Sequence, residues 1–140
     1  MPVSPYLFFD GCCEDAVNFY KAKLGAQEIM VLRWKDSPDP QMAMPGNEDK
    51  IMHARMRIGD TTIMASDGRC EGQPNFSGFS LSYTAANPAE AEKVFAALSD
   101  GGTVHAPLTQ TFFSPSFGMV ADRFGVSWMV YVEAEEHKHP

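Results

Sequence analysis

The sequence predicts an α+β protein: two tandem βαβββ modules that together form a cupped mixed β-sheet. Three observations predict this class. Each half holds one helical stretch flanked by short apolar strands, the order of these elements repeats, and a chain of 140 residues has the size of one domain. The expected organisation is a single domain over residues 1–140, with module one at about 4–68 and module two at about 77–133.

Module one opens with Pro5-Tyr6-Leu7-Phe8-Phe9, a short aromatic strand ended by Asp10-Gly11. From about Cys13 to Leu24, Ala16, Val17, Phe19, Tyr20 and Leu24 recur at helical spacing, and Gly25 stands where a C-terminal cap belongs. Glu14 and Asp15 in the first turn and Lys21 and Lys23 in the last suit the helix dipole. A strand over about 26–34 follows. Lys35 to Lys50 carries three prolines and reads as a long loop. Ile51–Ile58 and Thr61–Ala65 are then strands joined by Gly59-Asp60, a hairpin signal.

Module two repeats this order. Phe79 to Tyr83 reads as a strand, and Asn87-Pro88 caps and starts a helix to about Leu98, stopped by Gly101-Gly102. Thr103 to Pro107 is the next strand, followed by the aromatic loop Gln110 to Phe117. Strands Gly118–Asp122 and Val126–Val132 flank Arg123-Phe124-Gly125. At an offset of about 76, Glu14 falls on Glu90, Phe19 on Phe95 and Gly25 on Gly101; after the long loop an offset of about 66 puts Arg57 on Arg123 and Gly59 on Gly125. The shared order indicates an internal duplication. Each such unit covers one sheet face with its helix and leaves the other open, so pairing two units closes a cup.

The net charge of -7 works against binding to nucleic-acid phosphates or anionic membranes, which need a positive field. No apolar run approaches the roughly 20 residues of a spanning helix. The opening Met1-Pro2-Val3-Ser4-Pro5 lacks the basic start and apolar run of a signal peptide. Cys12, Cys13 and Cys70 form no CxxC pair, so the expectation is reduced thiols in a cytoplasmic protein.

Strand Ile51–Ile58 supplies the strongest candidate chemistry. By the period of two, Met52, Ala54, Met56 and Ile58 point to the helix, and His53, Arg55 and Arg57 point to the cup or to solvent. His53 is the candidate catalytic acid/base and Arg55 the candidate anchor for an anionic substrate. A merely solvated polar face is the plainer alternative. Cys12 and Cys13 sit at a helix start, where the dipole lowers a thiol pKa and would favour a nucleophile; packed cysteines are the alternative. Phe112, Phe113 and Phe117 belong to a loop that serves as a pocket wall or as a dimer contact. Trp34 and Trp128 read as core, and Asp67, Asp100 and Asp122 as turn residues. The tail with His137 and His139 reads as a charged terminus.

Several stretches in order resemble the PhnB-like branch of the vicinal-oxygen-chelate superfamily, which holds glyoxalases, bleomycin-resistance proteins and dihydroxybiphenyl dioxygenases. They are Tyr6-Leu7-Phe8-Phe9-Asp10-Gly11, Ala16-Val17-Asn18-Phe19-Tyr20, Met52-His53-Ala54, Met64-Ala65-Ser66-Asp67-Gly68, and Phe117 through Val126. The resemblance implies a glyoxalase/bleomycin-resistance-like fold, a small-molecule cup and a homodimer. It also implies, in active members, a divalent metal held by His, Gln and Glu from the first and last strands of each module. Here the first strand offers Tyr6 and Phe8, and its counterpart Ser80 and Ser82. The family's late glutamate is replaced by Met129, and Ile63 to Ala65 holds no carboxylate. The expectation is therefore no cofactor. A divalent metal remains the alternative, held through His53 or by recruiting His105 and Glu71.

Tyr6, Phe8, Ser80, Ser82, Met129, Phe113 and Arg55 thus become candidate substrate contacts. The expected function is binding of a small oxygenated or anionic metabolite, with no nucleic-acid or membrane partner. The alternatives are sequestration without turnover and a divalent-metal lyase or dioxygenase with atypical ligands. The methyltransferase label sometimes attached to this branch finds no support, because no glycine-rich GxGxG turn joins a strand to a helix.

Overall fold

The computed structural model describes residues 3–37, 46–68 and 74–134. Their elements are β1 (Tyr6–Phe8), α1 (Cys13–Leu24), β2 (Gln27–Arg33), β3 (Ile51–Ile58), β4 (Thr61–Ser66), β5 (Leu81–Ala85), α2 (Pro88–Ser99), β6 (Thr103–Thr109), β7 (Ser116–Ala121) and β8 (Ser127–Val132). A short 3-10 turn spans Trp34–Asp36. The α+β class and the two βαβββ modules are thus present. The chain divides into the units Met1–Pro74 and Asn75–Pro140. Each holds a four-stranded sheet, ordered β1-β4-β3-β2 in the first and β5-β8-β7-β6 in the second. In each, the first strand runs parallel to the last and the other pairs are antiparallel. Cys70, Glu71, His137 and His139 lie outside the described residues.

In the first unit, α1 covers β3 and β2. It buries Cys13, Ala16, Val17, Phe19 and Tyr20, the stripe its periodicity predicts. Gly25 closes it in the left-handed conformation at φ 68°. Under the helix lie Leu7, Ala54, Met56, Ile63 and Ala65, all buried on alternate strand positions. Each large side chain so buried contributes about 1.5–3 kcal/mol. Met52 departs from its expected place in this row. A register shift between Leu32 and Arg33 pairs Leu32 with His53 but Arg33 with Ile51, so β3 gains a residue there. Ile51 therefore takes the buried position, 1% exposed, and Met52 is left half-buried. The β3–β4 turn has Gly59 at φ 59° in its first central position, as a type II′ hairpin requires.

In the second unit, Asn87 caps α2 by accepting a hydrogen bond from the Glu90 amide at 2.9 Å, with Pro88 at the first helical position. Ala91, Val94, Phe95 and Leu98 are buried over the sheet. Phe95 lies so close to β7 that a Cβ on Gly118 would meet its ring at 2.7 Å. Trp128 is buried and donates its Nε1–H to Asp122 Oδ2 at 2.9 Å, and Trp34 is buried and donates to the Gly68 carbonyl.

Three sequence expectations need correction here. β5 starts at Leu81, where its parallel ladder to β8 begins, so Ser80 precedes the strand and Phe79 is left 45% exposed. β6 runs on to Thr109 through Pro107, which an outer strand tolerates because it needs no partner on its free edge. Arg57 and Arg123 are not counterparts, since Arg57 is in β3 while Arg123 is in the longer turn between β7 and β8. Ladder register gives the true correspondence: Tyr6 pairs with Met64 as Ser82 pairs with Met129, and Arg55 pairs with Met64 as Met119 pairs with Met129.

Candidate functional site

Strand alternation sends one set of module one's side chains to the sheet face opposite α1. Paired residues share a face, so Tyr6, Met64 and Arg55 form one row across β1, β4 and β3. Phe8 follows Tyr6 by two residues, and His53 precedes Arg55 by two. These residues therefore come from strands far apart in sequence to one surface.

Within it the Tyr6 hydroxyl and His53 Nδ1 are 2.9 Å apart. The Tyr6 and Phe8 rings stack with centroids 4.9 Å apart and planes at 28°, and the His53 ring lies 5.6 Å from Tyr6, tilted by 34°. Burial pushes the Tyr6 phenol above its ordinary value, opposed by the Ser66 hydroxyl and reinforced by Cys13. The phenol thus keeps its proton at neutral pH and can donate to Nδ1 of the imidazole tautomer protonated at Nε2. That arrangement fixes the ring through one nitrogen and leaves the other for a ligand. The face stays accessible, with Tyr6 37% and Phe8 53% exposed.

Arg55 is exposed on the same face. The other described arginines are engaged. Arg33 pairs with Glu14 and donates to the Asp49 carbonyl, Arg57 donates to the Gly59 carbonyl, and Arg123 pairs with Asp100. Among the described residues Arg55 has no hydrogen-bond or ion-pair partner. In a chain of net charge -7 this leaves, among the described residues, an open guanidinium on the face that carries the three rings.

Asp67 holds this surface from behind. It is 1% exposed and its carboxylate accepts from the Gly11, Cys13 and Ile51 amides at 2.8, 2.8 and 2.9 Å. The β1–α1 turn, the start of α1 and the start of β3 are thereby tied to the end of β4. The residue expected to serve a turn is instead a buried clamp across three segments. Its charge also bears on the thiols. Burial first, then Asp67, pushes the Cys13 thiol far up, and burial, Asp67 and Asp15 raise that of Cys12. Cys13 is fully buried, and Cys12 Sγ lies 3.2 Å from the Phe9 carbonyl. The expected dipole activation is outweighed, so neither is an activated nucleophile.

Module two's equivalent face is of another character. Ser82 and Met129 are ladder partners, and Met119 pairs with Met129 from β7. Phe113 packs edge-on against Phe117 at 5.2 Å, with Phe112 beyond it, 97% exposed. Ser80 stands apart, its hydroxyl 2.7 Å from that of Ser127. His105 is exposed on the outer strand β6.

The divalent metal that the resemblance implies needs carboxylate or imidazole donors on these faces. The corresponding positions offer Tyr6, Phe8, Met64, Ser82 and Met129, with His53 the one imidazole. Among the described residues no three His, Cys, Asp or Glu side chains lie together as a metal site. The residues described do not fit the metal. Sequence reasoning missed Met64, Ser66 and Asp67, whose roles depend on cross-strand register. The run Met64-Ala65-Ser66-Asp67, a strand end carrying an acid, is the one signal that marked them.

Comparison with known proteins follows this geometry. The family model described as 3-demethylubiquinone-9 3-methyltransferase matches residues 2–131. Protein YjdN of Escherichia coli K12 is 33% identical over 97% of the chain and 98% of its own length. Among solved structures, protein PA1353 of Pseudomonas aeruginosa is 41% identical with a TM-score of 0.83, covering 95% of this chain and 98% of that one. The PhnB protein of Bacillus cereus is 27% identical with a TM-score of 0.79, covering 94% and 99%. The fosfomycin resistance protein FosX of Mesorhizobium loti, 9% identical over 99% and 95%, shares the fold with a TM-score of 0.64.

Proposed function

Because the chain belongs to the family described as 3-demethylubiquinone-9 3-methyltransferase, the PhnB-like branch of the vicinal-oxygen-chelate superfamily, we propose that it binds a small oxygenated or anionic metabolite on the open face of module one. The observation that carries this reading is the Tyr6–His53 hydrogen bond at 2.9 Å on the face that also carries Arg55, which has no partner among the described residues. Arg55 holds an anionic oxygen. His53, oriented through Nδ1, offers its Nε2–H as a hydrogen-bond donor; as a base it works through the other tautomer, with Nδ1–H donating to the Tyr6 oxygen and Nε2 open to a proton. The donor set described above supports a site that works without a divalent ion. Methyl transfer is not carried over. The family description names it, but the stretch from β1 to α1, Asp10-Gly11-Cys12-Cys13, lacks the glycine-rich turn of a nucleotide-type cofactor site.

The test is a screen of small oxoacids by thermal unfolding, followed by product analysis. A ligand that binds the native state raises the melting temperature with concentration. The reading expects that rise in the parent protein and its loss in Arg55→Met. A ligand that stabilises the parent and Arg55→Met equally would sink it. Product formation that His53→Ala abolishes supports an enzyme; binding without turnover supports sequestration.

The absence of a helix long and apolar enough to cross a membrane among the described residues agrees with a protein free of spanning helices. The exposed Phe112 and Phe113 support the homodimer expectation. Light scattering at micromolar concentration should give twice the chain mass of 15.4 kDa, and a monomeric mass refutes this.

A further inference from the structure

Resting on that reading, we infer that the anion bound by module one is a flat aromatic or conjugated carboxylate. Two features of the open face select it. The first is ring geometry. Phe8 and Tyr6 stack with their planes at 28°, and Phe8 is the more exposed ring of the pair, at 53%. Stacked aromatic rings gain from a further ring laid against them, which an aliphatic chain of equal volume does not match. The Tyr6 and His53 rings are tilted by 34° and joined through the phenol hydroxyl and Nδ1, so three rings adjoin on this face.

The second feature is the position of the cation. Tyr6, Met64 and Arg55 share one row, so their backbones are separated by two strand spacings, about 10 Å in all. Phe8 stands one row further along, level with Ser66 and His53, so a ring laid against it directs its carboxylate diagonally across β4 toward the guanidinium. The planar fork of Arg55 matches a carboxylate in two parallel hydrogen bonds. Met64 lies between them and supplies a polarisable floor for the ring. A compact hydrophilic anion would engage Arg55 but leave Phe8 uncovered. A neutral aromatic would engage Phe8 but leave the guanidinium open. An aromatic carboxylate satisfies both.

The experiment compares naphthoate with its saturated counterpart, decalin carboxylate. The two carry the same charge and similar volume and differ in planarity. Binding is measured by titration calorimetry, with the His53 imidazole proton signals followed by NMR to locate it. The parent protein is expected to prefer naphthoate by about tenfold, the scale of an added stacking contact. Phe8→Leu should bring the two affinities together, with unchanged melting temperature showing that the fold is intact. Arg55→Met should weaken both acids by similar factors. Equal affinities in the parent, with both acids still weakened by Arg55→Met, overturn the aromatic class and leave the anion-binding reading standing. A naphthoate preference that survives Phe8→Leu overturns the inference, because the ring then sits elsewhere. Failure of both acids to bind or to move the His53 signals overturns the inference and counts against the anion reading as well.

Discussion

The two modules share one backbone plan and differ most where nothing in the fold requires them to agree. Their helix-facing rows are alike: Leu7, Ala65 and Ala54 in one, Tyr83, Val130 and Gly118 in the other, mostly buried and mostly apolar. Their open faces are not. Where module one has Tyr6, Phe8 and Arg55, module two has Ser82, Thr84 and Met119 at the positions that ladder register equates. Module one thus adds an imidazole and an unpaired cation to its rings, whereas module two sets the rings of Tyr131 and Phe117 among hydroxyls and thioethers. The core constrains the buried rows in both copies through packing. The open rows are free to diverge, and the chemistry collects in the copy that kept ionisable groups.

Removal of the buried aspartates should separate the two modules most clearly. Asp67 ties three separate segments, whereas Asp122 accepts from Phe124, Val126 and Trp128 within one turn. Asp67→Ala should cost about 3–5 kcal/mol, since it strips a buried charged acceptor from three amides, and Asp122→Ala should cost less. Denaturant unfolding measures both, and equal losses would mean that the modules are held in the same way. Next is Gly118→Ala, whose added Cβ meets Phe95 at 2.7 Å and the Ala106 carbonyl at 3.1 Å. A loss of about 1–3 kcal/mol is expected from overpacking.

Exchanging faces sharpens the comparison differently. The joint change Tyr6→Ser and Arg55→Met gives module one the residues of module two at those positions. It should remove ligand-induced stabilisation while shifting stability by about 1 kcal/mol or less, as for exposed sites. Calorimetry and unfolding together decide it, and retained binding would mean that module one's face is not the site. The smallest effect concerns Glu14. Its bond to Arg33 holds the carboxyl below the usual value, so its stabilisation is present above the unfolded-state pKa and fades as pH falls through the folded one. The pair is largely exposed, so Glu14→Gln should cost about 0.5 kcal/mol at neutral pH and nothing once the carboxyl is protonated. Unfolding curves compared at pH values above and below the carboxylate range test this sign.

Much of the fold was legible because periodicity is local. The limits of α1 and β3 follow from their patterns alone, and so does the burial of Ala54, Met56 and Ile58. The misplaced start of β5 came from Phe79, which looks like a strand residue but has no ladder partner. The false match of Arg57 with Arg123 came from counting through turns of unequal length. The candidate site was legible as single residues but not as a unit. Tyr6 and His53 are widely separated in the chain and meet only because β1 pairs with β4 and β4 with β3. Asp67 read as a turn acid because its donors, the Gly11, Cys13 and Ile51 amides, are backbone groups with no signature in side-chain identity.

β1 is an outer strand of three residues, joined to the sheet through β4 alone, and it carries both stacked rings. Short outer strands open more readily than central ones. The face around Phe8 and Tyr6 is therefore expected to open before the central strands do, and an occupant lying across Phe8 and Arg55 would splint β1 to β3. Amide hydrogen exchange should register the occupant as slowed exchange along β1, far more than at β7 or β8, which pair within the other unit.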